Sequence, residues 1–154
     1  MSAYTLRPAA VTDVAAVVRL RRRMFESMGV TNTAALDVAD VACAAYFTEA
    51  IPAGEYRGWV VETPDGQVVA SGGYVIDVHP PGPSNLTGRI GYVMNLYTEP
   101  AHRRRDLARR IMVAVLEHLR AAGVRVLALH ATEIGRPLYE SLGFVASNEM
   151  RLQW

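Results

Sequence analysis

RIGYVMNLYTEPAHRRRDLARRIMVAVLEHLRAAGVRVLALHA, Arg89 to Ala131, is the stretch that decides the fold. Its first ten residues, Arg89 to Thr98, are rich in aliphatic and aromatic side chains and read as a strand. Leu107, Ile111, Val115 and Leu119 then recur every four residues, with Ala108, Met112 and Leu116 beside them. That spacing puts one apolar stripe on a helix, and Gly123 ends it. VRVLALHA, Val124 to Ala131, is a second apolar strand, of the kind buried on both faces. A strand, a crossover helix and a strand make a parallel pair joined right-handedly.

Between the first strand and the helix, five arginines fall within the eight residues Arg103 to Arg110, and Asp106 stands among them. Basic residues on a nucleic-acid surface are expected to spread along one face. These crowd the entry turn of a helix and are interrupted by Glu99, Asp106 and Glu117. A helix N-terminus offers unpaired N–H groups and about half a positive charge, and arginines add forked, permanent donors. The reading is a cradle for phosphates.

Outward from this unit, Tyr4 to Ala9 is predicted as a first strand, with Pro8 at its end or at a sheet edge. A helix follows, with Thr12 as N-cap, Asp13 in its first turn, and Val14, Val17, Val18, Met24, Phe25 and Met28 at helical spacing up to Gly29. Arg19, Arg21, Arg22 and Arg23 read as its solvated side. After a loop, VTNTAA, a second helix runs over LDVADVACAAYFTEAI and is stopped by Pro52 and Gly54. YRGWVVET and QVVASGGYVIDV form a hairpin about the Pro64-Asp65-Gly66 turn. His79 to Gly88 is a Pro- and Gly-rich loop, EIGRPLYESLG is a short helix, and FVASNEMRLQW is a closing strand or strand pair. The order is βααββ followed by β-helix-β-helix-β, an α/β fold expected to form one domain over residues 1–154.

Composition narrows the function. With 51% apolar and 20% charged residues the chain is an ordinary globular protein, and its net charge of +1 does not suit a nucleic-acid coat. No apolar run reaches the 18 residues a membrane span needs, and no secretion leader is apparent. Cys43, the single cysteine, has no internal partner and suits a reducing cytoplasm, where it reads as a structural thiol. All 16 basic residues are arginine, so a lysine Schiff base is excluded.

The sequence Arg103-Arg104-Arg105-Asp106-Leu107-Ala108, between a strand and a helix, resembles the R-x-x-G-x-G/A pyrophosphate signature of the GNAT acetyltransferase superfamily. GRPLYESLGF, Gly135 to Phe144, resembles its second signature, and YTLRPAAVTDVAAVVRL its usual first strand and helix. The resemblance covers nearly the whole chain in the right order. It implies a mixed central sheet, flanked by helices, whose two parallel strands splay apart, with acetyl-coenzyme A as cosubstrate and an amine as acceptor. By position it implies that Leu96 N–H polarises the acetyl carbonyl, Tyr97 and Thr98 hold the pantetheine arm, and the turn from Arg103, through the amides of Arg104, Arg105, Asp106, Leu107, Ala108 and Arg109, binds the pyrophosphate. Tyr139 is the implied general acid for the leaving thiolate.

Asp106 departs from the family glycine. Aspartate tolerates a left-handed turn, but a carboxylate aimed at pyrophosphate would repel it. Asp106 is therefore expected to turn outward toward Arg103 or Arg110. For the base, Glu99, His130, His79 and a water chain all stay open, and Asn95 is either a substrate contact or a strand residue. Acceptor specificity is expected from the loop Gly29–Ala35, the loop His79–Gly88 and the final strands, with no acidic patch for a polycation. Open sheet edges leave a homodimer open; neither nucleic acid nor membrane is expected as a partner. A non-catalytic acyl-coenzyme A sensor of the same fold, and more remotely an arginine-mediated nucleic-acid regulator, are the competing functions.

Overall fold

Alternation along each strand divides the core in two. In the computed structural model, which describes residues 3–154, strands β1 (Thr5–Pro8), β2 (Tyr56–Glu62), β3 (Val68–Val78), β4 (Arg89–Thr98) and β5 (Val126–Leu129) form one sheet in the order β1-β2-β3-β4-β5. Neighbours from β1 to β4 are antiparallel, and β4 and β5 are parallel. Val61 and Val93 face helix α3 (Leu107–Ala121), while Val60 and Met94, one residue along, face α1 (Val14–Ser27) and α2 (Thr33–Ala53). The helix stripe lands as its spacing requires: Leu107, Ile111, Val115 and Leu119 are buried against the sheet, with Met112. Burial of each contributes about 2 kcal/mol, several times the differences in helix propensity among such residues. Packing therefore fixes α3.

Several boundaries differ from expectation. The entry to α1 is organised by Asp13 rather than Thr12. Its Oδ2 accepts from Ala10 N at 2.7 Å, and Arg7 donates to both carboxylate oxygens at 2.7 and 2.8 Å while also pairing with Glu62. The second helix starts earlier because Asn32 caps it, its Oδ1 accepting from Ala35 N at 3.0 Å. It also runs through Pro52 to Ala53. A proline in a last turn forgoes only one N–H, and Gly54, left-handed at φ 74°, completes the stop.

β5 is only partly buried, because it is the sheet's last strand and nothing among the described residues pairs with its outer edge. The expected closing strands are absent: residues 144–154 form no ladder, and Val145, Met150, Leu152 and Trp154 are exposed. An alternating pattern assigns side chains to faces, but it supplies no partner strand. The helix-one arginines are not one solvated face either. Arg19 pairs with Glu99 and donates to Val68 O at 2.7 Å; Arg22 reaches Glu26, Asp37 and Asp40; Arg21 points to the sheet.

Candidate active site

β4 and β5 stay together only from Ile90–Val126 to Val93–Leu129; beyond that point β4 runs on to Thr98 without a β5 partner. On its other side the β3–β4 register slips between Gly73↔Met94 and Ser71↔Tyr97, so Gly72 opposes both Asn95 and Leu96. Asn95 absorbs this bulge with a φ of 63°. A bulge leaves its extra residue outside the regular ladder and bends the strand. The bend can form because Gly72 and Gly73 carry no side chain. A Cβ on Gly72 would lie 2.9 Å from Leu96 Cδ1, and one on Gly73 would lie 2.5 Å from Tyr56 Oη and run into Arg57 O. Splay and bulge together open a cleft of about 1280 Å³, lined by the end of β4, the arginine turn, α1 and the start of α4 (Arg136–Ser141). Ordinary small-molecule sites run to about 300–1,000 Å³, so this one is large enough for an extended ligand.

At the arginine turn, Arg104 and Asp106 are both left-handed, at φ 59° and 63°. Asp106 is the residue that leads into α3, and its side chain caps no amide there. The carboxylate is 76% exposed and turned outward, as expected, but its partner is Arg109, at 3.7 Å, rather than Arg103 or Arg110. Arg103 instead donates to Thr98 O at 3.0 Å and stacks over Tyr97, and Arg110 donates to Tyr4 O at 3.2 Å. Arg105 lies over the Tyr4 ring, and Arg109 also reaches Ser141 Oγ at 2.9 Å, tying α3 to α4. Leu107 is buried beneath the turn, and Ala108, with no bulk, sits on the cleft wall.

These residues suit a pyrophosphate-bearing thioester. Backbone donors at the start of α3 are free of a side-chain cap, and the cleft wall beside them carries Arg103, Arg104 and Arg109 against Asp106. Thr98 Oγ1 is buried at the same wall without a partner among the described residues, an unmet hydrogen-bond group of the sort a bound polar chain satisfies. Leu96 and Tyr97 line the same stretch.

Tyr139, on α4, is buried, packs edge-on to Phe144 at 6.0 Å and reaches the cleft. Gly135 lets it lie close, since a Cβ there would stand 2.9 Å from the Tyr139 ring. Burial pushes its phenol above the ordinary value of 10.0. Of the three base candidates, only His130 lines the cleft; it sits edge-on to Tyr92 at 5.7 Å, and its Nε2 is in contact with Arg151. Glu99 is held by Arg19, and His79 stands in the loop outside the cleft lining.

Two expectations about the acceptor side need correction. Neither the loop Gly29–Ala35 nor the loop His79–Gly88 lines the cleft, because α1 reaches over the sheet before the first begins and the second lies at the far end of β3 and β4. The wall is made by α1 itself, through Arg21, Met24, Phe25 and Ser27, and by Met28 just after it. Arg21 donates to Asn95 Oδ1, and Asn95 Nδ2 in turn donates to Tyr56 Oη at 3.3 Å. Asn95 and Tyr56 are buried, and burial pushes the Tyr56 phenol up to about 12. Nothing in the residue pattern separates Arg21 from its three neighbours, beyond its place four residues before Phe25, over whose ring its guanidinium lies at 4.7 Å.

Comparison with known proteins agrees with this geometry. The profile of the acetyltransferase (GNAT) family matches residues 16–144. A GCN5-related N-acetyltransferase from Ralstonia eutropha is 31% identical, with 98% of each chain covered and a TM-score of 0.90. A protein described as a predicted acetyltransferase with acetyl-CoA, from Clostridium acetobutylicum, is 26% identical over 97% of this chain and 95% of that one, with a TM-score of 0.88. The glucosamine-6-phosphate N-acetyltransferase of Arabidopsis thaliana, 17% identical over 98% and 97% of the chains, shares the fold with a TM-score of 0.73. No curated protein matches the chain. The splayed parallel pair, the arginine turn and the family match over residues 16–144 together say that this chain belongs to the GNAT acetyltransferase family.

Proposed function

We propose that the protein transfers an acetyl group from acetyl-coenzyme A to a primary amine. The observation that carries this reading is the bulged end of β4 beside the uncapped start of α3. One takes main-chain groups of β4 out of the regular ladder beside the cleft, and the other leaves amides available to phosphate. When bound, acetyl-coenzyme A supplies the activated acetyl group as a thioester.

The chain's own residues supply the rest. Arg104 to Arg109 present main-chain N–H groups to the pyrophosphate, with Arg103 tethered to Thr98 O so that its charge stays near the turn. Tyr97 and Thr98 hold the pantetheine arm. Leu96 N–H, next to the bulge, meets the negative charge that develops on the carbonyl oxygen, and a donor so placed contributes about 3 kcal/mol. Tyr139 is the general acid, placed to donate a hydrogen bond to the departing sulfur. A thiol near 8.5 is a stronger acid than a phenol above 10, so Tyr139 keeps its proton at neutral pH and acts by hydrogen bonding to charge as it develops. The acceptor's proton leaves through His130 or through water; His130→Gln distinguishes the two by the pH profile of kcat/KM.

Release of free thiol from acetyl-coenzyme A in the presence of a panel of amines tests the proposal. Amine-dependent release with an acetylated product is expected. Tight cofactor binding with no release from any amine would instead establish an acyl-coenzyme A sensor.

A further inference from the structure

Arg7, Arg19 and Arg22 each pair with a carboxylate, but Arg21 does not. One of its terminal nitrogens, Nη1, is engaged by Asn95 Oδ1; among the described residues Nη2 has no hydrogen-bond partner, and Nε is buried without one. The guanidinium is nevertheless fixed. Phe25 stacks beneath it at 4.7 Å, and Asn95, held in turn by Tyr56 Oη at 3.3 Å, sets its rotation. An arginine immobilised with donors unspent on the wall of a cleft is built to receive an anion, and the planar fork matches a carboxylate.

The placement says which anion. Asn95 directly precedes Leu96 on β4, so Arg21 reaches the strand about one residue, roughly 3.3 Å, from the backbone N–H assigned to the reacting carbonyl. The arginine turn begins at Arg103, seven residues beyond Leu96 and past Thr98. Arg21 therefore stands on the acceptor side of the reacting centre and not among the groups assigned to pyrophosphate. Its cleft-lining neighbours are Met24, Phe25 and Ser27 on α1 and Met28 just after it, with no carboxylate among them.

We propose that Arg21 is a specificity-determining residue that binds the carboxylate of the acceptor, so that the preferred substrate is an amino acid with an apolar side chain, its carboxylate on Arg21 and that side chain against Met24, Phe25 and Met28. This rests on the acetyl-transfer reading above and deepens it to a substrate class.

The test compares phenylalanine, phenylalaninamide and phenethylamine as acceptors. Phenylalanine is expected to exceed both analogues, which lack the carboxylate, by at least tenfold in kcat/KM, chiefly through KM. In Arg21→Gln that preference disappears, while calorimetry shows acetyl-coenzyme A bound as in wild type. A second readout is independent of turnover. N-acetylphenylalanine should bind the wild-type protein at least tenfold more tightly than N-acetylphenylalaninamide, with and without coenzyme A, and the two should bind Arg21→Gln alike. Equal use and equal binding of the acid and the amide by wild type would overturn the proposal while leaving acetyl transfer standing. So would an unchanged preference in Arg21→Gln. Absence of acetyl-coenzyme A binding would overturn the transfer reading instead, and the product-binding comparison would still decide the role of Arg21.

Discussion

Asp106 shows how one residue can depart from a motif without abolishing its geometry. Glycine is favoured at this turn for its freedom at positive φ, and aspartate is among the few other residues that enter that region readily. Its φ of 63° and its outward, Arg109-paired carboxylate leave the amides of the turn without a side-chain cap. Because that carboxylate is mostly solvated, its repulsion of a bound pyrophosphate is strongly screened. Asp106→Gly should therefore change the acetyl-coenzyme A dissociation constant by less than about tenfold, read by calorimetry; a hundredfold tightening would mean the carboxylate opposes the cofactor after all. Tyr139→Phe should lower kcat about a hundredfold with cofactor affinity within about twofold. Since burial raises the Tyr139 phenol above 10.0, the phenol keeps its proton to higher pH than a free one, and the wild-type advantage should hold from pH 7 to at least about 9. At this scale the left-handed turn and Tyr139 were legible in the sequence, because each sits at a fixed offset within a motif. Arg21 was not, since helical spacing alone could not show that Asn95 would rise to meet it from a bulge.

Elements are tied together by a few polar contacts that no periodicity reveals. Arg7 on β1 holds Asp13 at the head of α1 and Glu62 on β2, and the Arg7 guanidinium keeps the Asp13 carboxyl below its ordinary 3.8. With Arg7 about one-third exposed, Asp13→Asn should cost about 1–3 kcal/mol in urea unfolding at pH 7. A carboxyl whose folded-state pKa is lowered stabilises the fold above its unfolded value and loses that contribution as pH falls through the folded one. The gap between wild type and Asp13→Asn should accordingly be constant above about pH 5 and close below pH 4. The bulge has its own test. A methyl on Gly73 would meet Tyr56 Oη and Arg57 O, so Gly73→Ala should destabilise by about 3 kcal/mol, whereas Gly66→Ala, in the open hairpin turn, should cost only the strain of its positive φ. Strands β2 to β4 and helix α3 were readable from pattern because burial on one face dictates it. Caps at Asn32 and Asp13 were missed because several polar residues compete for each helix start. The closing strands failed for another reason: Met150, Leu152 and Trp154 alternate as a strand would, yet alternation cannot supply a ladder partner.

Taken whole, the molecule places two unlike chemistries at the ends of one strand segment. From Met94 to Thr98, β4 leaves β5, bulges at Asn95, and delivers the chain to the arginine turn and α3. Arg21 and its apolar neighbours stand at one end of this segment, the arginine turn at the other, and Tyr139 borders the cleft from α4. Fold class and the place of the arginine turn at the head of α3 were both legible in Arg89 to Ala131; the cleft wall made by α1 was not, because it depends on how α1 crosses the sheet. The central claim is that the arginine turn binds pyrophosphate so that the thioester lies along Leu96 to Thr98. Calorimetric titration with acetyl-coenzyme A, set against S-acetylpantetheine, which has the thioester arm but no pyrophosphate, tests it most directly. The account predicts micromolar binding of acetyl-coenzyme A and at least a hundredfold weaker binding of S-acetylpantetheine. Equal affinity for the two, or none for either, would contradict it.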